Sequence, residues 1–377
     1  LTNTENLKYS KWKPCIPKEF DENHSIWDEI KKQDLMLHTP YDSFEPVVKM
    51  INEAATDPKV LAIKITLYRT SGNSPIVKAL ELAARNGKQV TVFIELKARF
   101  DEKQNIEWAT RLQNAGVIVI YGIVNLKLHA KMMMIVRKEE EEVLRYVHLS
   151  TGNYNENTAK LYSDISIFTA EPEIANDATL FFNMISGYSA LQTMQKIKIA
   201  PINLKSNLIS LIEREIQNSS PEKPGLIIAK MNSLAHPEVI QALYKASCAN
   251  VKIKLNVRGI CMLVPGVKNL SENIQVTSII DRYLEHSRIC YFQNGGDEEI
   301  YLSSADWMPR NLDRRVEIMF PILNKSIFTR IKSILNTYLE DTENTSILNS
   351  DGSWSKILNS QTEKTEKKFS AQKHFHE

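Results

Sequence analysis

Apolar positions in the first half of the chain alternate between two patterns. "VLAIKITLY" (60–68), "KQVTVFIEL" (88–96) and "VIVIYG" (117–122) are β-branched or aliphatic runs of strand length, bounded by polar or turn residues. Between them, "SPIVKALELAARNG" (74–87) and "NIEWATRLQNAG" (105–116) carry the patterning of helices. Each stops at a glycine, Gly87 or Gly116, the residue that most readily closes a helix in the left-handed conformation. A further helix is predicted in "HTPYDSFEPVVKMINEAA" (38–55), where Asp42 and Glu45 are spaced as a capping box. This βαβαβ order predicts a mostly parallel sheet with helical cover. "LKLHAKMMMIV" (126–136) and "LRYVHLSTGN" (144–153) then read as a hairpin, with "RKEEEE" (137–142) as its solvated tip.

The pattern restarts downstream. "NLISLIEREIQ" is a helix, "LIIAKM" a strand, "PEVIQALYKASCAN" a helix and "VKIKLNVRG" a strand. "IQVTSII", "SRICYFQ", "IYLSSADW" and "VEIMFPI" follow as strands, and "IFTRIKSILNTYLE" closes the unit as a helix. Two similar units in succession imply a duplication with a boundary near residue 196. The expected organisation is a lead-in at 1–15, one unit over 16–196, a second over 197–345, and a polar tail over 346–377, partly disordered by composition.

Bulk properties narrow the function. The chain has 377 residues, 43% hydrophobic and 24% charged, enough for two ordinary domains with a sizeable core. A net charge of +2 gives no global basic excess that would argue for nucleic acid or a membrane surface. The four cysteines show no CxxC spacing and no disulfide density, which fits a reducing cytoplasm. No apolar run reaches the ~18 residues of a membrane span. The chain opens on Leu1, which is expected of a piece or a processed form of something longer.

The duplication carries the candidate chemistry. His129-x-Lys131 in the first unit is matched by His286-x-Arg288 in the second. Thr151 and Asn153 lie two apart, and Asp164 lies eleven beyond Asn153; Ser304, Asp306 and Glu317 repeat that spacing. On a strand, residues two apart share a face, so each unit offers an imidazole and a cation together. A core histidine beside a snorkelling lysine is the structural alternative. The pairing of the two motifs favours phosphate chemistry. A neutral imidazole can attack phosphorus, and its ordinary pKa of about 6.5 leaves it largely unprotonated at neutral pH. Asp164 and Glu317 are candidates to fix the far ring nitrogen. Lys131 and Arg288 can neutralise phosphoryl oxygens.

His-x-Lys followed by Ser/Thr-x-Asn, present twice, resembles the phospholipase D superfamily, in which two similar halves bring both histidines to one site. Both units depart from its full pattern. Val136 stands where an aspartate is expected, and the second unit has Arg288 and Asp306 for Lys and Asn. A narrower resemblance fits these departures. "HTPYDSFEPVV", "AIKITLYRTSG", "VTVFIELKARFDE", "LKLHAKM", "YVHLSTGNYN", "LEHSRI" and "SSADWMPRNLDRRVE" closely resemble the first family of polyphosphate kinases, from about residue 12 to about 355. The resemblance implies an α/β fold of two tandem phospholipase D-like domains, each a mixed, largely parallel sheet flanked by helices. It also implies two further domains ahead of this region, with residues 1–15 as the end of a helical one.

The implied activity is reversible transfer of the terminal phosphate of ATP to inorganic polyphosphate through a phosphohistidine, with Mg2+. His129 is then the phosphorylated residue, and His286 the acid/base and phosphate contact. Tyr162 and Arg258 match nucleotide-contacting positions. Arg69 and Arg99 match positions beside Mg2+ and the phosphates, as clamps rather than ligands, because a guanidinium has no lone pair to give. Packing remains the alternative for Tyr162, and a surface position for each arginine. Arg310, Arg314 and Arg315 of "RNLDRR" cannot all line one site. His148 reads as structural, and "HFHE" as polar tail. The expected partners are ATP, ADP and polyphosphate, not nucleic acid. The full-length protein is expected to be a homo-oligomer in the cytoplasm, with peripheral membrane association as the alternative. A phospholipase D-like phosphodiesterase and a non-catalytic polyphosphate- or nucleotide-binding fragment are the competing functions.

Overall fold

A computed structural model describes residues 9–10, 12–21, 24–68, 74–95, 102–122, 126–187, 193–357 and 368–377. The first unit runs α1 (Ile26–Lys32), β1 (Leu35–Thr39), α2 (Glu45–Thr56), β2 (Val60–Leu67), α3 (Pro75–Arg85) and β3 (Gln89–Ile94). It continues through α4 (Glu102–Asn114), β4 (Ile118–Tyr121), β5 (Lys127–Leu128), β6 (Met132–Lys138), β7 (Val143–Ser150), β8 (Tyr162–Thr169) and α5 (Pro172–Ile185). Its main sheet has the order β1-β8-β7-β6-β2-β3-β4.

The second unit runs β9 (Lys198–Ala200), α6 (Leu204–Gln217), β10 (Leu226–Met231), α7 (Pro237–Cys248), β11 (Lys252–Val257), β12 (Ile274–Ile279) and β13 (Leu284–Glu285). It then forms β14 (Ile289–Phe292), β15 (Glu299–Ser303), α8 (Pro309–Leu312), β16 (Arg315–Pro321), α9 (Lys325–Glu340), β17 (Thr345–Leu348), β18 (Trp354–Lys356) and α10 (Ala371–His376). The second sheet has the order β18-β17-β12-β11-β10-β14-β15-β16-β5, with β9 also on β16.

The mixed α/β architecture matches the expectation, but the sheets are not largely parallel. Along the first, only β2–β3 and β3–β4 are parallel, while β1–β8, β8–β7, β7–β6 and β6–β2 are antiparallel. Only strands joined by the helical crossovers α3 and α4 run the same way; the hairpin β6–β7 and the return through β8 reverse it. The capping box fails too. No side chain caps α2, whose N-cap is Phe44, and Asp42 instead accepts the His38 N–H at 2.6 Å and pairs with Arg330 at 2.8 Å. The described end of the chain is no separate tail. β17 pairs with β12, β18 with β17, and Phe375 of α10 packs against His38, Tyr41 and Tyr338. The described residues of 1–15 form no helix.

The two units share one core. Met134, Val147, Phe181 and Phe182 of the first pack with Ile289, Leu302, Phe320 and Ile331 of the second. Each such buried side chain contributes about 1.5–3 kcal/mol, so the units cannot part without exposing apolar surface. They also exchange strands. β5 of the first unit pairs in parallel with β16 of the second, and β13 of the second pairs in parallel with β8 of the first.

Candidate active site

The exchanged strands deliver the histidines. Leu128 lies opposite Val316, so the next residue, His129, arrives beside Glu317. Glu285 lies opposite Ser163, so His286 arrives beside Asp164. The backbone fixes both turns: the N–H groups of His129 and Ala130 donate to Val316 O at 2.9 Å each, and those of His286 and Ser287 to Ser163 O at 3.1 and 2.8 Å. Residues 129–131 are therefore a break between β5 and β6, and the single continuous strand expected there is not formed.

Each carboxylate serves the other unit's histidine. His129 Nδ1 is 2.8 Å from Glu317 Oε2, and His286 Nδ1 is 2.8 Å from Asp164 Oδ2. The rest of each carboxylate is tied within its own unit. Ser304 Oγ donates to Glu317 Oε2 at 2.5 Å and Asn311 Nδ2 to Oε1 at 2.7 Å; Thr151 Oγ1 donates to Asp164 Oδ1 at 2.6 Å. Gly152 has a steric reason to be glycine, since a Cβ there would stand 2.5 Å from Asp164 Cγ.

The cations differ. Lys131, 1% exposed, donates to the carbonyl of His129. Arg288 spans the seam: its Nε and Nη2 donate to Asp306 at 3.3 Å each, and Nη1 to Thr151 O at 3.2 Å. The same Nη1 lies 3.2 Å from both ring nitrogens of His286. Asn153, expected to match Asp306, clamps no cation; its Oδ1 is buried and unpaired.

Electrostatics follows from burial. Loss of water pushes His129 down to about 3, with Glu317 opposing and Lys131 reinforcing. His286 is lowered by burial and then by Arg288. Burial works against the charge on Glu317 and Asp164, but hydrogen bonds from their histidines and hydroxyl partners and the nearby Lys131 and Arg288 hold both below the usual carboxylate range. Each imidazole is thus neutral with its Nδ1–H donated to a carboxylate, leaving Nε2 with its lone pair. Burial, reinforced by Arg288 and Arg315 and opposed by Glu317, brings Lys131 down to about 7. Because Lys131 feels Arg288 and Asp164 as well as Glu317, the two half-sites form one electrostatic unit.

The other expected residues divide. The Tyr162 ring lies 5.1 Å from that of His286. Arg258 Nε donates to Glu285 O at 2.7 Å and Nη2 to Asn232 Oδ1 at 2.8 Å, one shell behind His286. Arg315 acts on His129 and Lys131, while Arg310 and Arg314 are exposed. Arg69 and Arg99 lie outside the described residues. His148 is structural, as expected, with Nδ1 2.8 Å from the Tyr154 hydroxyl. His376 of "HFHE" stacks on Trp12 at 4.4 Å. Tyr68, whose ring meets that of His129 edge-on at 5.0 Å, was not anticipated; its position at the strand end just before Arg69 was the available signal. Among the described residues no group of three His, Cys, Asp or Glu could hold a metal ion. Asp164, Glu317 and Asp306 are committed to histidines, hydroxyls and Arg288. Among the described residues, these carboxylates are not free to cage a Mg2+.

Two units that exchange short strands and carry matching histidine turns define a phospholipase D-like fold. The solved phosphatidylserine synthase of Haemophilus influenzae shares this fold, at TM-score 0.56 and 12% identity over 84% of this chain and 88% of that one. Family models are more specific: polyphosphate kinase C-terminal domain 1 matches residues 25–191, and polyphosphate kinase C-terminal domain 2 matches residues 197–372. The chain belongs to the polyphosphate kinase family. It is 50% identical to the polyphosphate kinase of Rhodopirellula baltica over 95% of this chain and 42% of that protein. For that of Pseudomonas aeruginosa the values are 50%, 95% and 52%. The crystal structure of polyphosphate kinase from Porphyromonas gingivalis matches at TM-score 0.90 and 39% identity, over 98% of this chain and 56% of that one. The chain spans about half the length of the curated relatives it matches. No helix among the described residues is long and apolar enough to cross a membrane.

Proposed function

We propose that this chain carries the phosphoryl-transfer site of an ATP:polyphosphate phosphotransferase. The carrying observation is His129, buried and neutral, with Nδ1 held by Glu317 of the other unit. In the forward direction Nε2 of His129 attacks the terminal phosphorus of ATP. An N–P bond forms, the bond from phosphorus to the bridging oxygen breaks, and ADP leaves with that electron pair. A terminal oxygen of polyphosphate then attacks the same phosphorus, and His129 recovers its lone pair. Glu317 compensates the charge on the ring while it carries the phosphoryl group. Lys131, Arg288 and Arg315 offset negative charge on the equatorial oxygens. His286, neutral and oriented by Asp164, accepts at Nε2 a proton from an attacking oxygen and, once protonated, returns it to a departing one. Tyr162 and Arg258 border the nucleotide, and Asn153 offers its unpaired amide oxygen to the site's polar groups. Mg2+, when bound to the nucleotide, would neutralise phosphate charge, held by phosphate oxygens and water rather than by this chain's carboxylates; Arg69 and Arg99 are assigned beside it as phosphate clamps.

The remaining assignments rest on the family and on composition: a cytoplasmic protein, homo-oligomeric at full length, with ATP, ADP and polyphosphate as partners, and a first unit at 16–196 followed by a second from 197 onward. The test is incubation with γ-labelled ATP, Mg2+ and polyphosphate. Acid-labile, alkali-stable label on the protein, lost in His129→Ala, together with lengthened polyphosphate, supports the phosphotransferase. Hydrolysis of bis-nitrophenyl phosphate with no protein label would instead indicate a phosphodiesterase. Binding of either ligand with neither reaction would indicate a binding fragment.

A further inference from the structure

His286 sits on an unusually short support. β13 has two residues, and one edge is held by β8: Leu284 N donates to Leu161 O at 2.9 Å and His286 N to Ser163 O at 3.1 Å. Residues 283 and 285 face the opposite way, where a third strand would normally stand. No strand is there. Gln372 of α10, fully buried, takes its place. Its Oε1 accepts the Tyr283 N–H at 2.8 Å, and its Nε2 donates to Tyr283 O at 2.9 Å. This is the two-bond pattern of a neighbouring strand, made by one side-chain amide. The second proton of Nε2 goes to Glu285 Oε1 at 2.6 Å. Glu285 Oε2 forms an ion pair with Lys230 Nζ at 2.9 Å. Lys230 Nζ donates to Ser287 Oγ at 2.9 Å. The residues before and after His286 are therefore tied through one buried relay that starts on the C-terminal helix.

We propose that Gln372 is a positioning residue for His286: its amide substitutes for the missing edge strand and, through Glu285 and Lys230, fixes the turn that presents the imidazole. The inference rests on the phosphotransfer reading of the site. Only an amide fits. Methionine has the length but neither hydrogen-bonding group. Glutamate accepts from Tyr283 N–H but cannot donate to Glu285, and it sets two carboxylates side by side, so one of them holds its proton to higher pH.

The experiment compares Gln372→Met, Gln372→Glu and Phe375→Leu with the parent in the full-length protein, measuring kcat and KM for ATP from pH 6 to 8 alongside melting temperature. Phe375→Leu loosens the same helix and leaves Gln372, Glu285 and Lys230 themselves unchanged. The expected result for Gln372→Met is a fall in kcat of about tenfold or more, the scale of a slightly misplaced catalytic group, with KM for ATP within about twofold. Gln372→Glu should recover relative to the parent as pH falls, because the shared proton restores the donor to Glu285. Kinetics of both Gln372 variants within about twofold of the parent at every pH overturn the proposal. So does a loss no larger than that of Phe375→Leu at equal melting temperature. A parent that neither labels nor turns over contradicts the phosphotransfer reading itself, whereas an active parent with indifferent variants contradicts only the role of Gln372.

Discussion

The two half-sites are built to one plan and finished differently. In each, a two-residue exchanged strand delivers a histidine to a carboxylate three residues into a strand of the other unit. At His286 the cation is an arginine locked by Asp306 and Thr151 O, and it presses against the imidazole from 3.2 Å. At His129 the cation is a lysine lowered to about 7 by burial, and the residue matching Asp306 is the neutral Asn153. One half holds a permanent charge in fixed geometry. The other holds a charge that can be lost, beside a ring buried to about the same depth. That contrast suits His129 to receive a phosphoryl group and His286 to face the oxygen opposite as proton acceptor.

Removing the nucleophile should have the largest effect. His129→Gln is expected to lower turnover by on the order of 10^3-fold or more and to abolish protein labelling; an active variant would reverse the assignment of the halves. Glu317→Gln comes next. An amide can offer Nδ1 a proton and favour the wrong tautomer, with an expected loss of about 10^2- to 10^4-fold by analogy with the triad aspartate. Labelling of His129 should fall with it although Glu317 belongs to the other unit, which tests the exchange itself.

Arg288→Lys keeps the charge and loses the fork. With charge-assisted bonds at about 1.5–3 kcal/mol each, a loss of about tenfold or more in kcat/KM is expected, read from steady-state kinetics with ATP. Gly152→Ala should destabilise the fold by about 1–3 kcal/mol through overpacking against Asp164, measurable by denaturant unfolding. The corresponding position in the second unit is already Ala305, 1% exposed.

The pH dependence sharpens the contrast. The folded pKa of His129 is about 3 against an ordinary 6.5, so between those values the unfolded chain binds a proton that the folded chain refuses. Stability should fall as pH drops through that window, and His148, also about 3, adds the same sign. Lys131 is charged below about pH 7 and loses its charge above it. The kcat/KM of the parent should therefore decline by a few-fold on the alkaline side, and Lys131→Arg should flatten that limb.

Much of this was legible in the sequence because the duplication repeats its spacing. The two His-x-cation pairs, the hydroxyl residues and the carboxylates eleven positions beyond Asn153 and Asp306 all fall at the seam. What could not be read was which carboxylate serves which histidine. That depends on two-residue strands, β5 and β13, too short to leave a periodic signal. The parallel sheet was overcalled for a related reason: the crossovers after β2 and β3 are visible as helices, but the pairing partners of β1, β6 and β8 are non-local. Asp42 and Glu45 had capping-box spacing, yet Asp42 turns to Arg330, some 288 positions away in sequence. The C-terminal segment read as polar because only Ala371 and Phe375 of its last helix meet the apolar core, while Gln372 satisfies buried polar groups of Tyr283 and Glu285.

The most direct test is the ring position of the phosphoryl group on the labelled protein, read by phosphorus NMR after denaturation and assigned to a residue by peptide mass spectrometry. With Nδ1 of His129 occupied by Glu317, the label must sit on Nε2 of His129. A phosphoryl group on Nδ1, or on His286 in place of His129, would contradict the exchanged pairing on which the account stands.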